Sequence, residues 1–115
     1  MSFVIENNCL VKVINPSEVI TVPEGVEKIN GSAFSMINCK TVNLPNSLKT
    51  IEPLGFSFCS VENINIPDNT NLFHDSFFEC SNLSNVIIST KKFEKIKPNI
   101  KKYFGCDSPF VNKRC

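Results

Sequence analysis

The residues of this chain with the most obvious chemical reactivity are its six cysteines and its single histidine, His74. A catalytic thiol needs a base beside it and a third group that orients the base. Structural zinc needs cysteine or histidine ligands at short spacings, and none of the cysteines forms a CxxC pair. The spacing therefore predicts no metal site, and nothing in the sequence calls for a cofactor.

His74 is followed directly by Asp75, which could orient it as a base. Adjacent residues of a strand face opposite sides, so these two side chains would need unusual local geometry to meet. We therefore interpret His74 as a surface turn residue. The motifs GxxxxGK[ST], GxGxxG, HExxH and GxSxG do not occur. The sequence predicts that the protein is not an enzyme.

The elements that would position any functional residue are indicated by three prolines, Pro23, Pro45 and Pro67, which are 22 residues apart. The surrounding blocks are similar, and they read VPEGVEKINGSAF, LPNSLKTIEPLGF and IPDNTNLFHDSF. A fixed period of this length is typical of a solenoid, in which each repeat forms one coil. The predicted fold is a mainly β solenoid with short helical or 3-10 turns.

Each repeat is predicted to hold a strand before its proline, a second short strand after it, and a turn that carries a phenylalanine. The first set of strands should form a parallel sheet and covers residues 19–22, 41–44, 63–66 and 85–88. The second set covers residues 26–29, 48–51 and 70–73. The turn phenylalanines are Phe34, Phe56 and Phe77.

A chain of 115 residues predicts a single domain, here residues 1–115. Residues 1–18 read as a β-hairpin cap, because two β-rich runs flank a polar turn in FVIENNCLVKVI. Residues 19–89 hold three 22-residue repeats. Residues 90–115 read as a helical cap and tail, because apolar residues recur there at helical spacing.

Cys59 and Cys80 each lie three residues after a repeat phenylalanine, where the first repeat has Ile37. This shared position predicts buried packing, a role that free cysteine fills well. Cys106 and Cys115 lie near the C terminus. They would pair in an oxidising compartment and stay reduced in the cytosol.

The run VITVPEGVEKINGSAF, followed by VNLPNSLKTIEPLGFSFC, resembles the BspA-like (Treponema-type) leucine-rich repeat family. The family pattern has an Ala-Phe pair with a cysteine three residues on. It is matched by Ala33-Phe34, by Gly55-Phe56 with Cys59, and by Phe77 with Cys80. The resemblance covers about residues 1–89. It implies a leucine-rich-repeat solenoid and a binding role, often as a surface adhesin or a module of a larger chain.

A protein partner is predicted on the outward face of the strands, where stacked coils place equivalent side chains about 4.8 Å apart. The ladder and its flanking residues are Thr21, Lys40, Asn43, Glu62, Asn65 and Ile87. Such a module could inhibit or adapt a host or partner protein. The alternative is a self-associating structural or adhesin-type module in which coil ends meet in a homodimer.

A second candidate patch combines one apolar residue with lysines of the cap: Leu72, Lys91, Lys95, Lys101 and Lys102. Residues 1–90 hold four lysines and nine acidic residues, a net charge of −5, whereas residues 91–115 carry a net charge of +6. A nucleic-acid partner is not expected, since the chain has one arginine and its cap aromatics fall on the predicted core side.

The opening residues MSFVIENN lack the basic and apolar regions of a signal peptide. No run approaches the roughly 20 apolar residues of a membrane span. The sequence therefore predicts a cytoplasmic protein that does not act at a membrane, and the alternative is a secreted or host-delivered one.

Overall fold

The computed structural model describes residues 1–104 and the backbone of residues 111–114. The strands are β1 (Ser2–Glu6), β2 (Cys9–Ile14), β3 (Val19–Thr21), β4 (Lys28–Ile29), β5 (Thr41–Asn43), β6 (Thr50–Ile51), β7 (Asn63–Asn65), β8 (Asn71–Leu72), β9 (Asn85–Ser89) and β10 (Val111–Arg114). The helices are α1 (Thr90–Ile96), a 3-10 turn (Lys97–Asn99) and α2 (Ile100–Phe104).

The chain coils so that each repeat adds one strand to each of two sheets. The first sheet has the order β1-β2-β4-β6-β8, and the second has the order β10-β9-β7-β5-β3. Neighbouring coils pair in parallel with equivalent residues aligned, as in Val42 opposite Ile64. The alternation predicted for these strands is observed, because Val42 and Ile64 are buried while Asn43 is exposed. The predicted solenoid is confirmed.

The N-terminal hairpin closes one sheet and leaves the other open. Asn7 and Asn8 form its turn at φ values of 51° and 62°, which asparagine tolerates better than most residues. Strand β2 continues the first sheet by pairing in parallel with β4. Strand β3 pairs with β5 and stands at the edge of the second sheet.

A column of phenylalanine rings runs through the core from coil to coil. The ring centroids of Phe34 and Phe56 are 4.4 Å apart, and those of Phe56 and Phe77 are 5.0 Å apart. The column then continues to Phe104 in α2, 4.9 Å from Phe77. All four rings are buried and nearly parallel, so each coil fixes the position of the next.

The third coil departs from the predicted register. Leu72 pairs with Ile51 and is buried, whereas Phe73 is exposed. We had predicted the opposite, because counting six residues from each proline aligns Phe73 with Ile51. The third coil is one residue shorter between Thr70 and Leu72, and Thr70 still fills the position of Leu48. Leu72 is therefore a core residue and not part of a binding patch.

The C-terminal cap covers the last coil through its predicted apolar stripe, with Phe93, Ile96 and Phe104 buried. Helix α2 also continues the turn pattern. The Asp75 amide donates to the Lys102 carbonyl over 3.0 Å, as the Leu54 amide donates to the Asp75 carbonyl over 2.9 Å. The solenoid thus extends beyond residue 89, where our prediction ended the repeats. Cys106 and Cys115 of the predicted tail lie outside the described residues.

Candidate binding surface

The outward side chains of the second sheet form the predicted ladder. Thr21 and Asn43 are exposed, and the Asn43 amide donates to the Thr21 hydroxyl over 3.1 Å. Asn65 and Ile87 are half-buried. The Asn65 amide accepts from the Leu44 N–H at 2.7 Å and donates to the Leu44 carbonyl at 3.0 Å. Two of the four hydrogen bonds that the Asn65 amide can form therefore join neighbouring coils.

A second outward row, which the sequence analysis did not single out, runs beside the ladder. The Asn63 amide donates to the Thr41 hydroxyl over 3.2 Å, and the Asn85 amide donates to Asn63 Oδ1 over 3.3 Å. Thr41, Asn63 and Asn85 are 22 residues apart, and this spacing would have allowed the row to be predicted from the sequence. Together the two rows give a flat, polar face in which coil-to-coil hydrogen bonds fix the side chains.

The flanking residues Lys40 and Glu62 lie on this same face, at the starts of adjacent strands. Lys40 is exposed and Glu62 is half-buried. The Glu62 amide donates to the Lys40 carbonyl over 2.9 Å, which holds the two positions in neighbouring coils. Four of the six predicted residues therefore lie in strands of the second sheet, Lys40 and Glu62 directly precede β5 and β7, and the residues of the opening coils are more exposed than the later ones.

The lysines of the second predicted patch fall into two groups. Lys91 and Lys95 lie beside Asp68 near the start of α1. Lys101 and Lys102 line a separate open depression of about 840 Å³ between the third turn and α2. With Leu72 in the core, these residues do not share one surface.

A row of exposed apolar side chains on the coil turns was missed by the sequence analysis. This turn-face row consists of Met36, Phe58 and Phe78. Met36 and Phe58 are 78% and 56% exposed, and Phe78 is half-buried with its ring centroid 5.5 Å from that of Phe58. Met36 and Phe58 have φ values of 60° and 57°, a region that bulky side chains rarely occupy. Exposed apolar residues that neighbour each other in this way often mark interaction sites.

The open end of the second sheet carries a further apolar group. Val19 in β3 is 54% exposed, and Met1 and Ile14 nearby are also exposed. The Ser17 hydroxyl donates to the Val19 carbonyl over 2.8 Å and lies 3.6 Å from the Met1 sulfur. Strand β3 therefore presents unpaired backbone groups beside exposed apolar side chains at the edge of the second sheet.

His74 is an exposed turn residue, as predicted, and the turn geometry brings its ring to Asp75. Asp75 has a φ of 59°, so the pair lies in a turn and not in a strand, and His74 Nε2 is 3.1 Å from Asp75 Oδ2. Cys80 lines the same depression. Its thiol donates to the Phe56 carbonyl over 2.8 Å, and burial raises the pKa of Cys80 to about 12. That thiol is therefore a poor nucleophile at neutral pH.

The predicted cysteine ladder is present in part, and it includes a contact that we did not predict. Cys59 is buried, while Ile37 and Cys80 are half-buried against the core. Cys39 is also buried, and its sulfur lies 3.8 Å from the Cys59 sulfur. Among the residues described, no group of three or more His, Cys, Asp or Glu side chains could hold a metal ion. Within the same residues, no helix combines the length and apolar character that a membrane crossing requires.

The stacked coils, parallel sheets and buried phenylalanine column define a leucine-rich-repeat solenoid. Proteins of this class are typically non-catalytic scaffolds that bind other proteins or act as surface modules. The BspA type leucine rich repeat region matches residues 4–107 in six copies. This protein therefore belongs to the BspA-type leucine-rich repeat family. The match extends past residue 89, in agreement with the additional turn at α2. A comparison with curated proteins finds no match to the chain.

Proposed function

We propose that this protein is a non-catalytic binding module whose protein partner lies on the outward face of the second sheet. The observation that carries the proposal is the fixed arrangement of exposed Thr21 and Asn43, joined by a 3.1 Å hydrogen bond on adjacent strands. Side chains that are already ordered lose little entropy when a partner binds. Lys40, Glu62, Asn65 and Ile87 would extend the contact across the sheet.

The test is a double substitution, Thr21→Arg with Asn43→Arg, in affinity capture from the native host. Both positions are exposed, so the fold should persist while two long cations block the face. Ser2→Arg with Asn71→Arg adds the same charge at exposed positions of β1 and β8 in the first sheet, and serves as the control. We expect the first variant to lose the captured protein and the control to keep it. Retention by both variants would remove the strand face from consideration.

The turn-face row is a second candidate surface for the same function. Its exposed apolar side chains could anchor a partner, as central apolar residues do in many interfaces. Met36→Ser with Phe58→Ser tests this surface in the same capture experiment. Loss of capture in this variant alone would place the partner on the turns and not on the strands.

Self-association through the coil ends is the alternative function, favoured by the exposed Val19 on the edge strand β3. Val19→Lys would place a charge on this edge and disfavour pairing with a second copy. Analytical ultracentrifugation distinguishes the cases. A dimer that dissociates in the variant supports self-association, and a monomeric native protein rejects it.

The cap lysines and the cellular location stay predictions. Charge reversal at Lys101 and Lys102 should leave capture unchanged if the partner lies on the strand face. Nucleic acid is not expected to bind, because the lysines of the cap are divided between two separate sites. The proposed cytoplasmic location can be checked by fractionation of the native cells.

A further inference from the structure

Two buried thiols meet at the boundary between the first and second coils. The Cys39 and Cys59 sulfur atoms are 3.8 Å apart, and both side chains are buried. The two residues are not equivalent positions of the repeat, because they are 20 residues apart and the period is 22. The sulfur contact is therefore a diagonal one that the repeat alone does not produce.

The backbone around these thiols is held by Ser60, the residue after Cys59. The Ser60 hydroxyl accepts from the Cys39 N–H over 2.9 Å and lies 2.9 Å from the Cys39 carbonyl oxygen. The Ser60 N–H donates to the Ile37 carbonyl over 3.0 Å. The two segments are thus tied together on both sides of the sulfur atoms, which keeps the thiols in contact.

The two thiols differ in their tendency to ionise. The hydrogen bond with Cys39 lowers the pKa of Cys59, whereas the same bond and burial raise the pKa of Cys39. The thiol contact therefore favours Cys59 as the sulfur that ionises first, while burial of both side chains limits their exposure to solvent. In stepwise thiol oxidation one sulfur is oxidised first and a neighbouring sulfur resolves the product, and the 3.8 Å contact supplies that neighbour.

We propose that Cys39 and Cys59 form a reversible disulfide that links the first two coils when the protein meets a hydroperoxide. The Cys59 thiolate attacks hydrogen peroxide to give a sulfenic acid and hydroxide. The Cys39 thiol then attacks the Cys59 sulfur, the S–O bond breaks, and water leaves as the S–S bond forms. In total two thiols and one peroxide give one disulfide and two water molecules. The sulfur atoms need to approach from 3.8 Å to about 2.0 Å.

The link would make the solenoid more resistant to unfolding at its N-terminal half. It closes a loop between neighbouring coils, and a loop of this size restricts the unfolded chain substantially. We expect the melting temperature to rise by about 10 °C on oxidation and to return with dithiothreitol. The link lies at the edge of the strand face, because Lys40 follows Cys39 directly. Its formation does not depend on that face being the binding site.

The experiment is peptide mapping of the full chain after treatment with hydrogen peroxide and alkylation of the remaining thiols. Combined cleavage after lysine and glutamate places Cys39, Cys59 and Cys80 on separate peptides, namely residues 29–40, 50–62 and 80–91, because the Glu52–Pro53 bond precedes a proline and is not cleaved. We expect residues 29–40 and 50–62 to be recovered as one species, two hydrogen masses lighter than the sum, and to separate on reduction. Mapping on the native sequence needs no variant that must fold.

The matched control is Cys80→Ser, which removes a neighbouring thiol and should leave the link intact. Cys39→Ser should abolish the link and the rise in melting temperature. Recovery of Cys39 and Cys59 in alkylated form after peroxide treatment would overturn the proposal. So would oxidation confined to Cys9, Cys80, Cys106 or Cys115.

Discussion

Met36 and Phe58 combine two properties that folding alone does not favour. Their side chains are exposed, and their backbones lie in the left-handed region. That conformation costs roughly 1–2 kcal/mol for a residue with a side chain of this kind. Glycine or asparagine would satisfy the turn at lower cost. The same conformation recurs at Glu79 in the turn of the third coil, so it belongs to the repeat, and the feature particular to Met36 and Phe58 is an exposed apolar side chain.

Phe58→Asn tests this view of the turn-face row. Relief of the backbone cost should offset the lost contact with Phe78, which is worth about 0.5–1.5 kcal/mol. We expect the free energy of unfolding in urea to change by less than about 1 kcal/mol. Phe56→Ala, two residues away in the buried column, should cost about 3–5 kcal/mol. A large loss for Phe58→Asn would show that the exposed ring has a structural role.

At the residue scale, the sequence predicted the buried columns better than the exposed positions. The prediction that Phe34, Phe56 and Phe77 occupy equivalent turn positions was correct, because apolar residues at a fixed period have one way to stack. The surface position predicted for Leu72 was wrong, because one missing residue shifts which side chains of a strand point inward. No rule of composition shows at which residue the shortening falls when Leu72 and Phe73 are both apolar.

Helix α1 presents a buried cation to the last coil. Lys92 is 7% exposed, and its ammonium donates to the Thr70 carbonyl over 2.5 Å. Ser89 caps the helix by accepting from the Lys92 N–H over 3.0 Å. Burial lowers the pKa of Lys92, and the nearby charge of Lys95 lowers it further. The folded protein therefore holds this proton less firmly than the unfolded chain does.

The consequence is a pH-dependent stability that Lys92→Met should remove. In the interval just below the ordinary lysine pKa of 10.5, the unfolded chain binds more protons, so the free energy of unfolding of the native protein rises with pH. Urea unfolding at several pH values above neutrality should show the native protein gaining stability relative to Lys92→Met. Lys91→Met changes an exposed neighbour and should keep the native slope. Parallel pH curves for native protein and Lys92→Met would contradict this account.

At the element scale, the period located strands β3, β5, β7 and β9 of the second sheet to within one residue at their ends, whereas it did not predict β10. The predicted strand 41–44, for example, is observed as Thr41–Asn43. Strands β4, β6 and β8 of the first sheet are shorter than predicted, because only two residues of each pair with the neighbouring coils. The hydrogen-bonding of Asn65 with the Leu44 backbone could not be predicted, since it depends on the rotamer of one amide between coils.

The molecule as a whole is closed at one end by α2, which takes the place of a further turn. Phe104 completes the ring column, and the amides of Asp75 and Phe77 donate to Lys102 and Tyr103 carbonyls. The sequence placed this segment in a cap but did not show that it continues the repeat. Phe104 follows Phe77 by 27 residues and not by 21 or 22, because α1 is inserted between them.

Phe104→Ala should therefore loosen the end of the solenoid. We expect a loss of about 3 kcal/mol in the free energy of unfolding. Hydrogen exchange should also become faster at the Asp75 and Phe77 amides, which lose their ordered acceptors. Lys101→Ala, at an exposed position of the same helix, should leave both measurements unchanged. Unchanged protection of these two amides in Phe104→Ala would show that the ring does not hold the end in place.

The contacts between coils described above join each coil to its immediate neighbours. The hydrogen bonds that join coils connect residues about one repeat apart, as between Asn43 and Thr21. During translation, each new coil can pair with the coil synthesised before it, and the first coil can pair with the hairpin. The protein can therefore fold vectorially while it is synthesised, with Phe104 joining the ring column after the coils before it have formed.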